Sequence, residues 1–316
     1  MSNKIEISAP LTFPTNVGSV QVGTTVVTDL ENAVAQWSAG TGTQFDPITQ
    51  TNCNVYLKNG NCVNFLIKSA YSVTSSPFIE LTEVQPALGP WKPQKGPGGS
   101  VGYQVYAVEN IHHVNLLMLN AKFKKIAICG DDFVFYKGKN GTLVKIIQEA
   151  LLPPMGRTQI PQAPMDFGIP SHIDLSIVKY AALKKQYAQI LGVPTGPIFT
   201  EFFATGAVFD FSGVIVPVDV QVAVSNTFPT MQYENVTPYL GVFACSSKTY
   251  NYHPAWTVPA GTVPAANDQM IAAGFTLNTS VVYEGELILT YYKRADDWIE
   301  VVDARFDFTP VIPPSI

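Results

Sequence analysis

The feature that most constrains the fold of this chain is a pattern that occurs four times along its 316 residues. Each copy opens with an alternating apolar strand, continues into a helix-like stretch that ends near a glycine or a turn, and is followed by two or three β-rich runs. The four openings begin at Val20, Val101, Pro170 and Asn251. A recurring combination of strands and helix usually corresponds to one supersecondary unit. The chain is therefore predicted to consist of four βαβββ modules.

Certain strand positions recur at a nearly constant spacing, which predicts that the second half of the chain duplicates the first. The equivalent pairs are Val22 with His172, Glu80 with Gln232, Tyr103 with His253, and Lys145 with Glu300. The members of these pairs are 150, 152, 150 and 155 residues apart, respectively. We therefore expect an N-terminal module pair in residues 1–150, a proline-rich linker in residues 151–167 and a C-terminal module pair in residues 168–316.

The composition fits a globular protein with a large core and argues against two classes of partner. Hydrophobic residues make up 47% of the chain and charged residues 14%. The net charge is -5 and lysine and arginine form no block, so a nucleic-acid partner is not expected. No apolar stretch reaches the roughly 18 residues of a membrane span, and the N-terminus lacks the apolar run of a signal peptide. We expect no membrane partner and a cytoplasmic location.

The cysteines give little support to a cross-linked or zinc-stabilised fold. Cys53, Cys62, Cys129 and Cys245 are too few and too irregularly spaced for a disulfide framework in a chain of this length. No CxxC pair suggests a structural zinc site. We expect reduced thiols, most of them buried.

Two last-strand phrases complete the pattern, FIELTEVQP at 78–86 and WIEVVD at 298–303. Together with the four strand-then-helix openings, they resemble the vicinal oxygen chelate superfamily, which includes glyoxalase I, methylmalonyl-CoA epimerase, the extradiol dioxygenases and 4-hydroxyphenylpyruvate dioxygenase. The resemblance covers essentially the whole chain. It implies an α+β fold in which four βαβββ modules pair into two U-shaped mixed-sheet barrels. It also implies metal ligands from the first and last strands of each module.

In the C-terminal half, the resemblance places His172, Gln232, His253 and Glu300 at the ligand positions. Two imidazoles, a carboxylate and an amide oxygen suit a divalent ion such as zinc, cobalt, nickel, manganese or iron(II). This set is most similar to that of methylmalonyl-CoA epimerase, whereas bacterial glyoxalase I generally has Glu in place of Gln. An alternative interpretation is a barrel whose histidines are ordinary core residues.

In the N-terminal half, Val22, Glu80, Tyr103 and Lys145 occupy the same four positions. A single carboxylate that faces a lysine cannot hold a metal ion, so this half is predicted to have lost its site. Glu80 and Lys145 are expected to neutralise each other. The adjacent His112 and His113 are interpreted as ordinary helix residues.

Strand alternation predicts which other side chains face the site. Residues two apart share a face, which places Asp174 and Ser176 with His172, Glu234 with Gln232, and Thr257 with His253. Asp174 lies roughly 7 Å along the strand from His172, so we expect it to move a substrate proton rather than to bind metal. The alternative interpretation is a solvated acid at the end of a strand or the partner of a lysine. Glu300 could also carry the proton by leaving the metal. Four aromatic residues on or beside the last strands could line the pocket or be ordinary core residues: Tyr283, Tyr291, Tyr292 and Trp298.

The implied function is a metal-dependent isomerase, epimerase or lyase that moves a proton next to a carbonyl of a small oxygenated substrate. An Fe(II) dioxygenase of the extradiol or 4-hydroxyphenylpyruvate type is an alternative. Extradiol dioxygenases use further pocket histidines as acid/base groups, and this chain has none to spare except the pair in the second module. The 4-hydroxyphenylpyruvate dioxygenases close the site with a long C-terminal helix, whereas only sixteen residues follow Glu300 here. Both features disfavour the dioxygenase alternative. A second alternative is a metal-free ligand-binding protein that resembles bleomycin-resistance proteins. Each half contains its own module partner, so we expect a monomer or a weak homodimer.

Overall fold

The computed structural model describes residues 22–73, 78–93, 101–153, 160, 162–176, 178, 185–187, 190, 198–209, 214–224, 230–244, 250–295 and 297–307. For 198–209 and residue 140 the description covers the backbone. Most of the predicted helix of the third module, part of the predicted linker, and Cys245 lie outside these ranges.

The first barrel is built from two modules. Its elements in chain order are β1 (Val22–Val26), α1 (Leu30–Thr41), β2 (Thr49–Leu57), β3 (Cys62–Tyr71), β4 (Phe78–Gln85), β5 (Gly102–Val108), α2 (Ile111–Asn120), β6 (Lys124–Cys129), β7 (Phe133–Lys137) and β8 (Leu143–Gln148). The first strand of each module pairs in parallel with the last, β1 with β4 and β5 with β8. All other strand pairs are antiparallel.

The second barrel repeats this arrangement. Its elements are β9 (His172–Ser176), β10 (Ile198–Phe209), β11 (Ile215–Val224), β12 (Thr230–Thr237), β13 (Asn251–Val258), α3 (Val263–Ala272), β14 (Thr276–Tyr283), β15 (Glu286–Arg294) and β16 (Asp297–Asp303). The parallel pairs are β9 with β12 and β13 with β16. The predicted α+β fold of repeated βαβββ modules is therefore confirmed.

The sheets differ from the prediction in one respect, because both barrels are closed rather than U-shaped. Strand β1 pairs with β5 and β2 with β6 in the first barrel. Strand β9 pairs with β13 and β10 with β14 in the second. Pairing at both seams satisfies the backbone groups that an open sheet edge would leave exposed.

The strand registers make the four predicted pairs of positions equivalent. In the first barrel, Val22 lies opposite Val105 and Tyr103 opposite Thr24. In the second, His172 lies opposite Ala255 and His253 opposite Asp174. On the parallel partners, Glu80 adjoins Thr24 as Gln232 adjoins Asp174, and Lys145 adjoins Val105 as Glu300 adjoins Ala255. The spacing in the sequence thus corresponds to the same places in two barrels.

Aromatic side chains fill the interior of the first barrel. Trp91 packs with Phe65 at a ring distance of 4.8 Å and with Phe135 at 5.1 Å. Phe135 also contacts Tyr103 at 4.9 Å, and all four rings are buried. The position that His253 occupies in the second barrel is therefore part of an apolar core in the first.

The prediction that Glu80 and Lys145 neutralise each other is wrong. The Glu80 carboxylate accepts hydrogen bonds from the hydroxyls of Thr24, Ser69 and Tyr71. The Lys145 ammonium lies 4.9 Å from the centre of the Phe133 ring. Hydroxyl donors stabilise the buried carboxylate, and the ring faces the lysine, so neither group needs the other.

A second correction concerns the cysteines. Cys53 on β2 and Cys129 on β6 form a disulfide, although reduced thiols were expected. The pair joins the two strands that meet at the seam between the modules of the first barrel. Cys62 is a free thiol and is exposed rather than buried. The two bonded residues are 76 positions apart, and such a pairing cannot be deduced from irregular spacing.

The two barrels pack against each other through apolar side chains. Tyr252 of β13 lies against the backbone of the first barrel, where a Cβ atom on either Gly23 or Gly102 would overlap its ring or hydroxyl. The Tyr250 hydroxyl donates a hydrogen bond to the carbonyl of Gly102. On the helical side, Trp37 of α1 meets Trp256 of β13 edge-on at 6.0 Å. Glycine is required at both contact points because any side chain would push the barrels apart.

The described helices are short surface elements. Helix α1 begins after Asp29, whose carboxylate accepts a hydrogen bond from the Asn32 N–H, and ends at Gly42 with a φ of 78°. His112 and His113 of α2 are exposed, as expected for ordinary helix residues. Among the described residues, no helix is both long enough and apolar enough to cross a membrane.

Candidate metal centre

Alternation along β9 separates the side chains of the site from those of the core. Ile173 and Leu175 belong to the apolar contact between the barrels. His172, Asp174 and Ser176 point to the opposite side, into the second barrel, and all three are buried. A strand buried on both faces thus carries polar groups on one face only.

Neighbouring strands bring the other polar groups to the same place. Asp174 lies opposite His253 on β13 and beside Gln232 on β12. Glu234 follows Gln232 by two positions and Glu300 comes from β16, so both face the interior as well. Asp174 therefore occupies the middle of a cluster that four strands supply.

The donor atoms of this cluster lie close together. Asp174 Oδ2 is 3.1 Å from His172 Nε2 and 3.5 Å from His253 Nε2. Glu300 Oε2 is 3.3 Å from His253 Nε2 and 4.0 Å from His172 Nε2. Two groups of three side chains have donor atoms within 4.8 Å of one another: His172, Asp174 and Glu300, and Asp174, Glu234 and His253.

Both imidazoles present Nε2 to the cluster because their other nitrogen has a partner. His172 Nδ1 is 2.9 Å from the Ser171 hydroxyl, and His253 Nδ1 is 3.1 Å from Asn251 Oδ1. Groups that hold the second nitrogen of a metal-binding histidine fix the orientation of its ring. Asn251 and Ser171 therefore orient the rings toward the centre of the barrel.

Burial perturbs the ionisation of the acidic and basic groups. Desolvation, reinforced by the charge of Glu300, raises the pKa of Asp174 well above its usual range. Desolvation and the charge of Asp174 do the same to the pKa of Glu234. The pKa of His253 is lowered by burial. Burial alone would raise the pKa of Glu300, but hydrogen bonding by His253 and the charge of His172 outweigh it, and the pKa is lowered.

The structure changes the expected position of Asp174. From the spacing along the strand, Asp174 was expected roughly 7 Å from His172, which is too far to share a metal ion, so a proton-transfer role was predicted for it. Both side chains lean toward the middle of a closed barrel, and their donor atoms come within 3.1 Å. Asp174 thus lies among the candidate ligands and not beyond them.

The polar cluster forms the base of an otherwise apolar cavity. The cavity has a volume of about 730 Å³, including the part that is open to solvent. Its described lining residues are His172, Val218, Val220, Val222, Gln232, Glu234, Val236, Phe243, Val281, Ile288, Leu289, Tyr291, Glu300, Val302, Phe306 and Asp307. The first barrel has aromatic rings where the second has this space. Through this cavity a small molecule could reach the cluster in the second barrel.

Several predicted pocket residues lie elsewhere. Tyr292 faces the helices on the outside of the barrel, and its hydroxyl donates a hydrogen bond to Asn267 Oδ1, so its predicted place in the pocket is wrong. Trp298 is buried inside the barrel but does not line the cavity. Tyr283 is exposed at the end of β14, where its ring packs on Phe306. Adjacent strand residues face opposite sides, which is why Tyr291 lines the cavity and Tyr292 cannot.

Two further predicted residues support the cluster from behind. The Ser176 hydroxyl donates a hydrogen bond to Glu234 Oε1. The Thr257 hydroxyl donates one to Asp307 Oδ2. Neither Ser176 nor Thr257 lines the cavity, so their contacts position the carboxylates that do.

Asp307 and Phe306 were missed in the sequence. They follow β16 in a turn that brings them over the cavity, and Asp307 Oδ1 lies 3.9 Å from His172 Nδ1. Alternation predicts directions only within a strand, so nothing in the sequence pattern pointed to residues beyond its end. Tyr291, expected as a pocket wall or a core residue, lines the cavity, and its ring meets that of His253 edge-on at 5.4 Å.

The residues present fit a divalent metal ion. Within the described part of the chain, both carboxylate oxygens of Asp174 and the Nε2 atom of His172 are buried without a hydrogen-bond partner. Buried polar atoms of this kind are rare unless something satisfies them. Two donors that each lie about 2.1 Å from one ion are roughly 3 to 4 Å apart, in line with the spacing of these atoms. Imidazole and carboxylate donors suit zinc, iron, cobalt, nickel and manganese.

Comparison with solved structures identifies the fold. A substituted 4-hydroxymandelate synthase from Streptomyces coelicolor matches 92% of this chain and 93% of its own, at 11% identity and a TM-score of 0.50. The chain has the vicinal oxygen chelate fold. The likeness at this identity extends to the fold and not to the activity.

Other solved structures match at lower scores. A fusion protein of a xylose isomerase-like TIM barrel and 4-hydroxyphenylpyruvate dioxygenase is 8% identical, with a TM-score of 0.45, over 95% of this chain and 51% of its own. Glyoxalase I from Zea mays is 12% identical, with a TM-score of 0.29, over 90% of this chain and 92% of its own. No protein-family model matches the sequence, and no curated protein matches it.

Proposed function

We propose that the second barrel is the active site of a metal-dependent enzyme that moves a proton next to a carbonyl group of a small oxygenated substrate. The observation that carries this proposal is the convergence of His172, His253 and Glu300 on Asp174, whose carboxylate oxygens accept no hydrogen bond from the described residues. The cluster lies at the base of a cavity, where a small molecule can reach it. The reaction class is an isomerase, epimerase or lyase.

The ligands that we propose are His172, His253 and Glu300, together with Asp174, and with Gln232 at the edge of the cavity. A divalent ion bound there would act as a Lewis acid that stabilises negative charge on a substrate oxygen. The two imidazoles are held in place before binding, because Ser171 and Asn251 fix the rings. All donors come from one barrel, so we also propose that the chain is active without a second copy.

Glu234 is the group that we propose for the proton transfer, in place of Asp174. It lines the cavity and is oriented by the Ser176 hydroxyl. Burial raises its pKa, which brings the carboxyl group closer to the range in which it can both accept and release a proton. Valine, isoleucine and leucine side chains around it keep bulk water away from the transferred proton.

The proposal is tested first by metal content. Native protein is refilled with zinc, manganese or iron(II), dialysed and measured by mass spectrometry, beside His172→Ala and His253→Ala. Glu80→Gln is the matched control, because Glu80 is a buried acid at an equivalent strand position of the first barrel. We expect one equivalent in the native and control proteins and a loss in both histidine variants. Metal content far below one equivalent in all four proteins would contradict the proposal and favour a metal-free binding protein.

The second test follows the substrate proton. Metal-loaded protein in deuterated water should exchange the methyl protons of a vicinal diketone, detected by NMR, and Glu234→Gln should abolish the exchange while keeping the metal. Two histidines and one carboxylate are also the ligand set of Fe(II) oxygenases, which makes a dioxygenase the second candidate. Oxygen uptake with iron-loaded protein and catechols, without proton exchange, would establish that alternative.

A further inference from the structure

We infer that the substrate of this site is uncharged and largely apolar, and that anionic compounds such as acyl-CoA thioesters, phosphate esters and α-keto acids are excluded. This inference rests on the proposed function, because it concerns what the same cavity accepts. It adds a substrate class that the ligand set alone cannot give.

The wall of the cavity provides the first argument. Val218, Val220 and Val222 line it from β11, at the two-residue period of one strand face. Aliphatic and aromatic side chains from β14, β15 and β16 complete the wall. Covering apolar groups of a ligand with such a surface is favourable, and apart from the Tyr291 hydroxyl the described side chains of this wall offer a charged ligand no hydrogen bond.

Charge provides the second argument. Glu234, Glu300 and Asp307 line the cavity, whereas none of its described lining residues is a lysine or an arginine. Sites that bind phosphates or carboxylates usually place arginine or lysine against them. One divalent ion carries two positive charges and would face three carboxyl groups, in addition to that of Asp174. A ligand with its own negative charge would therefore enter a region with no excess of positive charge.

The cavity therefore suits two adjacent oxygens on a hydrocarbon frame, such as a vicinal diketone or an α-hydroxy ketone. The oxygens would lie at the polar base and the hydrocarbon part against the valines. This assignment disfavours an acyl-CoA substrate, in spite of the similarity of the ligand set to that of methylmalonyl-CoA epimerase.

A matched pair of ligands tests the inference. 1-Phenylpropane-1,2-dione and benzoylformate both have a phenyl ring followed by two adjacent carbons that carry oxygen. The second of these carbons bears a methyl group in the diketone and a second, negatively charged oxygen in benzoylformate. Binding of each to the metal-loaded protein is measured by calorimetry at low and high salt. We expect the diketone to bind at least about tenfold more tightly, with the gap narrowing as salt screens the repulsion.

A variant in the wall provides an independent test. Val220→Lys places a cation in the cavity and is expected to reduce the preference for the diketone or to reverse it. Ile215→Lys is the control, since Ile215 lies on the same strand, is exposed and does not line the cavity. Metal content and unfolding midpoint are measured for both variants, so that a misfolded protein is recognised.

The outcomes separate this inference from the proposed function. If benzoylformate binds metal-loaded native protein as tightly as the diketone or more tightly, or if neither ligand binds, the inference is wrong. Neither result would contradict the proposed metal site. Absence of bound metal would instead overturn the proposed function. An unchanged ligand preference in folded, metal-loaded Val220→Lys would show that charge in the wall does not set the selectivity.

Discussion

The Oδ2 atom of Asp174 lies 3.1 Å from the Nε2 atom of His172, and neither atom has a hydrogen bond within the described part of the chain. A buried carboxylate in this state destabilises the protein unless a cation or a proton compensates it. The same group that weakens the metal-free fold should therefore strengthen metal binding.

The variant Asp174→Asn tests this relationship in both directions. Without metal, the free energy of unfolding is expected to rise by about 1 kcal/mol, because a buried charge becomes neutral. With metal, the affinity should fall by about 10- to 100-fold, because a ligand is lost. Urea unfolding of metal-free protein and calorimetric titration with manganese measure the two effects. An unchanged metal affinity would exclude Asp174 as a ligand.

Glu234→Gln should separate proton transfer from metal binding. The substitution keeps the shape of the side chain and its contact with Ser176, but it removes the ability to accept a proton. We expect the rate of proton exchange to fall by about 10²- to 10⁴-fold while one equivalent of metal is retained. Loss of the metal in this variant would mean that Glu234 is a ligand instead.

The disulfide between Cys53 and Cys129 should stabilise the first barrel and leave the second barrel's chemistry unaffected. It closes a loop of 76 residues, for which the restriction of the unfolded chain is worth about 4.5 kcal/mol. Denaturant unfolding of Cys53→Ser in comparison with native protein measures this loss. Cys62→Ser, which removes the exposed thiol, is the control. A stability unchanged by Cys53→Ser would contradict a bonded pair.

Gly102→Ala should disturb the contact between the barrels. The added methyl group would overlap the ring of Tyr252, and we expect a loss of about 2 kcal/mol from overpacking. A double-mutant cycle with Tyr252→Ala checks the cause, because the methyl group should cost little once the ring is gone. Additive losses in the cycle would place the effect elsewhere in the structure.

The loss of folding stability at acid pH should depend on Asp303. Hydrogen bonds from Arg305, with help from the Gly261 N–H, lower the pKa of its carboxyl to about 2. A folded-state pKa below the unfolded value, about 3.9, contributes stability that is complete above pH 4 and is lost as the pH falls toward 2. Because Arg305 is partly exposed, we expect only about 1 kcal/mol between native protein and Asp303→Asn at pH 6. The difference should shrink as the pH falls through 2 and vanish below it, and a difference that stays constant with pH would contradict this assignment.

The repeat was predictable because its signal is local and periodic. Alternating strands determine which face each side chain occupies, so the sequence pattern alone aligns Val22 with His172 and Tyr103 with His253, and the strand registers agree. The same rule failed wherever distance across the barrel mattered. It predicts the separation of His172 and Asp174 along the backbone, while the closure of the sheet determines how their side chains converge.

Contacts between segments that are distant in the chain could not be predicted from the sequence pattern either. The pairing of Cys53 with Cys129 depends on the seam between β2 and β6, which no local pattern encodes. Asp307 reaches the site from a turn, where alternation has no meaning. Glu80 accepts hydrogen bonds from hydroxyl groups instead of pairing with Lys145 as predicted. Which of these groups surrounds Glu80 likewise depends on which strands become neighbours.

Tyr252 and His253 are consecutive residues, and the pleat of β13 directs them to opposite sides. The ring of Tyr252 rests on the first barrel, and the ring of His253 faces Asp174 and Glu300. Among its described residues the first barrel contributes no candidate ligand, yet it supports the strand that carries His253. Detached from it, the second half would expose Tyr250, Tyr252 and Trp256 to water. The first barrel thus covers these apolar side chains and supports the strand that carries His253, and the two barrels should be expressed and engineered as a unit.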